Sequence, residues 1–294
     1  MAIGPRLGEM TTSGYTLLEP PRPRQKLVHI HSSAEELNRV YQADLAICAT
    51  MNAAARSLEV LAAPPTLAWS EWNTAAHGDY EANLTPQDLP GDIDMAAMVA
   101  TLQRLLPADA VLTNGAGNFA SWLHRFYRYP GLARGHKTQL ACTNGAMGYG
   151  VPAGIAANLL TGRTAFTITG DGDFLMNGQE LATATGYLPP DRRGQLVSIV
   201  VDNGTYGTIR MHQEREYPGR VSGSDLFNPD FAALARAYGW RAARADATAD
   251  FEAAFAQALQ PGAPMLIHLK LDADVSTSRS TLTAIREAAR RAGR

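Results

Sequence analysis

The sequence predicts an α/β protein, a parallel sheet with helices on both faces. Three observations carry this. The runs TAFTITGDGD (164–173), QLVSIVVDN (195–203) and PMLIHLKL (264–271) are apolar without alternation, as strands covered on both faces are. Helical stretches alternate with them along the chain. Two of the runs end in Gly, Asp and Asn, at the carboxyl ends of strands where open parallel sheets bind ligands.

The elements follow in order. KLVHIH (26–31) reads as a strand. Ser32 and Ser33 are placed to cap a following helix, with Glu35 and Glu36 in its first turn. ADLAICA (43–49) is the next strand and MNAAARSLEVLAA (51–63) the next helix. Residues 64–92 hold Pro64, Pro65, Pro86, Pro90 and Gly91 among scattered aromatics and read as a linker. The expected division is therefore 1–63, a linker over 64–92, and 93–294. In the last part, IDMAAMVATLQRLL (93–106) has helical spacing, and AVLTNGAGN (110–118) is a strand entering a glycine turn, with FASWLHRFYRY as the helix after it. A glycine cluster lies between Thr138 and Gly150, and VPAGIAANLL (151–160) continues as a helix. NGQELATATGY (177–187), FAALARAYGW (231–240) and FEAAFAQAL (251–259) read as further helices. TLTAIREAARRAGR (281–294) is the last helix, its arginines read as a solvated face.

Composition narrows the function. Of 294 residues, 46% are hydrophobic and 18% charged, which excludes wholesale disorder. A net charge of −2 argues against a nucleic-acid partner held by bulk electrostatics. Cys48 and Cys142 cannot build a disulfide framework or a zinc cluster. The start MAIGPRLGEM lacks the apolar core of a signal peptide. No apolar run reaches the ~18 residues of a membrane span. The expectation is a cytoplasmic protein without a membrane partner.

Two strand ends carry the chemistry. One reads Gly170-Asp171-Gly172-Asp173, the other Asp202-Asn203-Gly204-Thr205. A carboxylate, an amide oxygen and a backbone carbonyl form a hard-oxygen set suited to Mg²⁺, which takes six oxygens and shares them with phosphates. Glycines there let the chain turn sharply and approach a phosphate. Taken singly, each is an ordinary strand-to-loop turn, where Asp, Asn and Gly are common. The turn Asn114-Gly115-Ala116-Gly117-Asn118-Phe119 and the turn Asn144-Gly145-Ala146-Met147-Gly148 are further candidates that are weak alone. His29, His31 and His268 lie on or beside strands and read as structural.

Together, the stretch from Gly170 to Asn203 resembles the thiamine-diphosphate-binding motif, and GTYGTIRMHQEREYPGR (204–220) is similar to the acetolactate-synthase-like branch of that family. The resemblance covers nearly the whole chain: residues 93–294 are similar to the diphosphate-binding domain, and residues 1–63 to the end of the family's central domain, which implies that the parallel sheet is preceded by a partial Rossmann-like central domain. It implies thiamine diphosphate and Mg²⁺ as cofactors and leaves FAD open. By this likeness Asp171 and Asn203 are side-chain metal ligands and Thr205 contributes its carbonyl. Gly170, Gly172 and Asp173 lie against the diphosphate, with Gly172 and Asp173 offering N–H groups, and Gly117, Asn118 and Phe119 form a second contact. Gly145, Ala146 and Met147 meet the middle of the cofactor: the Gly145 carbonyl accepts from its 4′-amino group, and the Met147 side chain holds it in the bent form its proton transfer requires. The family's segment holding Arg210, His212 and Gln213 borders the substrate channel. Two departures stand out: Asp202 replaces the first residue of an Asn-Asn pair, and Asp173 places a charge near the diphosphate where a small residue is common. The spacer is also longer than usual, with the extra residues near PPDRRG (189–194).

The resemblance further implies decarboxylation of a 2-oxo acid with possible carboligation, and a pyrimidine-binding domain or subunit whose glutamate drives proton transfer. Homo- or hetero-oligomers are expected. The chain reads as starting partway through the central domain, completed by a partner polypeptide or cut from a longer frame, the abrupt start pointing to the latter. Alternatives are a simple 2-oxo acid decarboxylase, such as a benzoylformate decarboxylase-like enzyme, and a non-catalytic nucleotide- or metal-binding relic.

Overall fold

In the computed structural model residues 1–130, 135 and 137–293 are described. The chain divides into two compact units, Met1–Ala75 and Ala76–Arg294.

The first unit holds a three-stranded parallel sheet of β1 (Ala2–Ile3), β2 (Val28–His31) and β3 (Leu45–Cys48), in that spatial order. After β3 the Thr50 hydroxyl accepts the Ala53 N–H and starts α1 (Met51–Glu59). The helix expected after Ser32 and Ser33 does not form; that stretch is a series of turns. Asn38 has φ of 60°, which a right-handed helix cannot continue through, and its side chain accepts the Ala43 N–H instead. His29 bonds the Pro5 carbonyl, and His31 Nδ1 accepts the Ser33 N–H.

Within the proline-bounded stretch lies α2 (Ser70–Asn83), a helix with no buried residue. Proline is absent between Pro65 and Pro86, so nothing there blocks helical hydrogen bonding.

In the second unit Asp94 caps α3 (Met95–Leu105), its carboxylate accepting the Ala96 and Ala97 N–H groups. Then come β4 (Val111–Asn114), α4 (Ala120–Phe126), β5 (Gln139–Ala141), α5 (Gly150–Thr161) and β6 (Ala165–Gly170). These are followed by α6 (Asp171–Asn177), α7 (Leu181–Tyr187), β7 (Leu196–Asp202), α8 (Gly207–Glu216) and α9 (Phe231–Ala237). The unit ends with β8 (Arg241–Ala245), α10 (Thr248–Ala258), β9 (Met265–Lys270), β10 (Val275–Thr277), β11 (Ser280–Thr281) and α11 (Leu282–Arg291). Six strands form one parallel sheet in the order β5-β4-β6-β7-β9-β8.

The pattern of apolar side chains explains the layers. Strands β4, β6 and β7 are buried at every position. Successive residues point to opposite faces, so Phe166, Ile168, Val197, Ile199 and Ile267 join one core beneath α3, α4 and α10. Ala165, Leu196, Val200 and Leu266 join a second core beneath α5, α7 and α9. Each fully buried side chain of this size stabilises the fold by roughly 1.5–3 kcal/mol. The edge strands β5 and β8 are only partly covered, so their apolar pattern is too thin to read from sequence. In β8, Arg241 lies across the end of α10, bonding the carbonyls of Gln257, Ala258 and Gln260.

The chain passes from β4 to the edge strand β5 and then back across to β6, so β4 and β6 send their following loops in opposite directions. That switch point opens a crevice at the carboxyl edge. The stretch PPDRRG (189–194), where extra spacer residues are expected, lies in the loop between α7 and β7, away from that edge. Among the described residues no helix is long and apolar enough to cross a membrane.

Helix α11 corrects one expectation. Its arginines are not all a solvated face: Arg286 donates from both Nε and Nη2 to Glu214 on α8, at 2.8 and 2.5 Å, and Glu214 is fully buried. The Arg286 hydrogen bonds hold the Glu214 carboxyl below its ordinary range despite burial. Arg286→Ala leaves that carboxylate unpaired and is expected to lower stability by about 2 kcal/mol in urea unfolding at neutral pH. Because the folded value is depressed, the difference is full above the ordinary glutamate range and disappears as pH falls through the folded value. An unchanged unfolding midpoint at neutral pH would show that the pair contributes nothing.

Candidate active site

The register of the two central strands pairs Gly170 with Val201, so the residues that follow them emerge side by side. Asp171, the first residue of α6, is 3% exposed. Its Oδ1 accepts the Gly172 N–H at 2.9 Å, and its Oδ2 accepts the Gly204 N–H at 2.9 Å and the Asn228 Nδ2 at 2.7 Å. Asp202, the last residue of β7, is equally buried. Its Oδ2 meets His268 Nε2 at 2.8 Å, and its Oδ1 accepts from Lys270 Nζ at 3.1 Å, from Gly204 N–H at 3.0 Å and from Asn228 Nδ2 at 2.8 Å. Two donors, the Gly204 N–H and the Asn228 amide, are thus shared between both carboxylates.

The two acids respond differently. Burial pushes Asp171 up to about 6, with the neighbouring Asp202 charge adding to it against the hydrogen bonds from Asn228 and Gly172. For Asp202 burial acts in the same sense but is outweighed by the hydrogen bonds from His268, Lys270 and Asn228, which hold it well below the usual carboxylate range. Asp202 is therefore the fixed internal anion, and among the described residues Asp171 is bonded by neutral donors and by no cationic side chain. His268, read as structural, lies edge-on to Phe231 in the core with ring centroids 5.2 Å apart.

After β7 the chain turns through Gly204, at φ of 72°, where a side chain would be strained. Asn203 Oδ1 accepts the Thr205 N–H at 3.3 Å, and the Thr205 hydroxyl donates to the Ser224 carbonyl at 2.6 Å. The turn is braced further by Arg210, whose guanidinium bonds Ser224 Oγ and pairs with Asp225, and by Gln213, whose amide bonds the Ser222 carbonyl. His212 bonds Arg215.

The loop after β4 is held to α8 and to β10. Asn118 Oδ1 accepts the Thr208 hydroxyl at 3.0 Å, and its Nδ2 donates to Ser276 Oγ at 3.3 Å. In the loop after β5, Gly145, Ala146 and Met147 are exposed, and Gly145 has φ of 72°. Asp173 does not project its charge outward. It is 2% exposed, and its Oδ1 accepts the N–H groups of Ala116 and Gly148 while its Oδ2 accepts the Thr169 hydroxyl.

These loops share one cavity of ≈ 260 Å³. Every residue expected from the sequence to meet cofactor or metal lines it except Ala146. Apolar Trp122, Val201, Leu271 and Val275 line it as well. Aromatic rings pack directly on the backbone here: a Cβ at Gly172 would lie 2.5 Å from the Tyr206 ring, and one at Gly170 would lie 2.8 Å from the Phe119 ring. One carboxylate, one amide oxygen and one carbonyl at Asp171, Asn203 and Thr205 form a donor set that fits a hard divalent ion and leaves positions for phosphate oxygens. Sequence reasoning missed Thr208, three residues after Thr205, and Asn228 and Ser276, which come from more distant segments. It noted Asp202 only as a departure from an Asn-Asn pair, with no role in the site. His268 and Lys270, two apart on β9 and so on one face, were the available signal for its role.

Residues 115–269 match the family described as thiamine pyrophosphate enzyme, C-terminal TPP binding domain. Curated relatives include acetolactate synthases. The chain is 30% identical over 248 residues to the acetolactate synthase large subunit of Parasynechococcus marenigrum (strain WH8102), covering 81% of this chain and 38% of that protein. It is 28% identical over 275 residues to the acetolactate synthase isozyme 2 large subunit of Escherichia coli (strain K12), covering 92% and 47%. It is 26% identical over 283 residues to acetolactate synthase 1, chloroplastic, of Oryza sativa subsp. japonica, covering 92% and 42%. The chain spans less than half the length of these relatives. With its parallel sheet, its switch-point cleft and this match over more than half its length, the chain belongs to the thiamine pyrophosphate enzymes, in the C-terminal TPP-binding domain family, with acetolactate synthase large subunits as its relatives.

Proposed function

We propose that these residues hold the diphosphate end of thiamine diphosphate together with Mg²⁺, as part of an acetolactate-synthase-like enzyme that decarboxylates a 2-oxo acid and passes the product carbon to an acceptor carbonyl. The observation that carries this reading is the cleft at the carboxyl edge, in which three separate loops after β4, β5 and β6 meet the turn after β7. When bound, the cofactor supplies the electron sink for breaking the bond beside a 2-oxo group.

The chain's own residues supply position and charge balance. Asp171, Asn203 and the Thr205 carbonyl are the metal ligands, and the metal offsets the diphosphate charge. The Gly172 and Asp173 N–H groups and the Gly117–Phe119 turn bear on the diphosphate. The Gly145 carbonyl, Ala146 and the exposed Met147 side chain bear on the middle of the cofactor. Met1–Ala75 is the end of a central domain in this reading. Among the described residues lining the cleft the carboxylates are Asp171 and Asp173, both committed to other bonds, so a pyrimidine-binding domain or subunit provides the proton-transfer glutamate. Where a separate subunit provides it, the assembly is an oligomer.

Calorimetry tests the reading. Thiamine diphosphate should bind in the presence of Mg²⁺ or Mn²⁺ and not in excess chelator. Asp171→Ala should weaken binding by at least about 100-fold; parent-like affinity would remove the metal assignment. The carboxylate of Asp171, raised to about 6 by burial, must lose its proton to hold the ion. Affinity should therefore fall as the solution is taken from about pH 7 to about pH 5, and a flat profile would contradict the ligand role.

The 294 residues by themselves should not decarboxylate pyruvate with saturating cofactor and Mg²⁺. Turnover should appear on adding a pyrimidine-binding partner and disappear when that partner's glutamate is substituted. Robust turnover without a partner would overturn the half-site reading.

A further inference from the structure

Helix α6 grips the loop after β5 at both ends of one residue. The Asp173 carboxylate accepts the Gly148 N–H at 2.7 Å, and Asn177 donates through Nδ2 to the Gly148 carbonyl at 3.0 Å. Gly148 has φ of 84°, and a Cβ there would press on Asn177 and Met176. The same Asp173 Oδ1 accepts the Ala116 N–H at 3.1 Å, so one oxygen joins the loop after β4 to the loop after β5. Its Oδ2 takes the Thr169 hydroxyl from β6. At 2% exposure, water does not compete for these bonds. The space for the carboxylate exists because residue 115 has no side chain. A Cβ built on Gly115 would fall inside the van der Waals envelope of both carboxylate oxygens.

We propose that Asp173 is a positioning residue whose carboxylate, turned into the protein, sets the separation between the Ala116–Phe119 turn and the Gly145–Met147 turn, and that it does so only in company with Gly115. This rests on the thiamine diphosphate reading of those two turns. Its content is acceptor geometry and not charge. An asparagine fits the same place: its oxygen accepts both N–H groups and its NH₂ donates to Thr169 Oγ, whose own proton turns to the Gly170 carbonyl 3.2 Å away.

The test uses the full chain with two readouts: calorimetric titration with thiamine diphosphate and Mg²⁺, and amide hydrogen exchange at Ala116 and Gly148 without ligand. Asp173→Ala should weaken binding by about tenfold or more and speed exchange at both amides. Asp173→Asn should stay within about twofold of the parent in both readouts. Gly115→Ala should weaken binding in the parent and have little further effect in the Asp173→Ala background, a non-additive pair. Parent-like binding and protection in Asp173→Ala would overturn the proposal. So would an Asp173→Asn variant as impaired as Asp173→Ala, which would assign the effect to charge, or losses that simply add. If the parent chain binds no thiamine diphosphate, the functional reading fails, and exchange alone decides the strut: fast amides in Asp173→Ala uphold it and unchanged amides refute it.

Discussion

Two buried carboxylates leave adjacent strands side by side, Asp171 after β6 and Asp202 at the end of β7, and the rest of the site is arranged around keeping both there. Like charges this close in a low-dielectric setting repel strongly unless donors stand between them. The Gly204 N–H and the Asn228 amide do so, each bonding both acids. His268 and Lys270 from β9 then hydrogen-bond Asp202, and the Lys270 ammonium pairs with its charge. What remains, among the described residues, is one carboxylate with no cationic side chain bonded to it, lining a cleft beside an amide oxygen and a carbonyl. A divalent ion completes that arrangement in the proposed function.

The same principle of one buried acid serving several donors recurs at Asp173 and at Glu214. Asp173 satisfies N–H groups of two loops that would otherwise be unpaired inside the protein. Glu214 accepts from Arg286 and from the Gly219 N–H, joining α11 to α8 and so to the turn that follows β7. Each acid is costly alone and stabilising in its network. The parallel sheet provides the rigid frame, since β4, β6 and β7 are buried throughout.

The central strands and the two acidic strand ends were legible because a strand buried on both faces reads as an unbroken apolar run, and its last residue marks where side chains reach the rim. The direction in which Asp173 points was not legible. It depends on Gly115 and Gly148, 58 and 25 positions away, and on a helix whose first residue is already inside the motif. Asn228 was hidden for the same reason, lying 57 residues from Asp171 and 26 from Asp202. Edge strands β5 and β8 were missed because half-covered strands need little apolar sequence. The helix expected after Ser33 was lost to the left-handed Asn38, which local propensity cannot foresee.

The central claim is that the ends of β6 and β7 form one divalent-ion site. The most direct measurement is anomalous diffraction from crystals grown with Mn²⁺ and thiamine diphosphate. The account predicts a single strong peak within coordination distance of the Asp171 carboxylate, the Asn203 amide oxygen and the Thr205 carbonyl, with the diphosphate completing its shell. Bound cofactor with the manganese peak elsewhere, or with Asp171 still closed onto Gly204 and Asn228 and touching no metal, would contradict it.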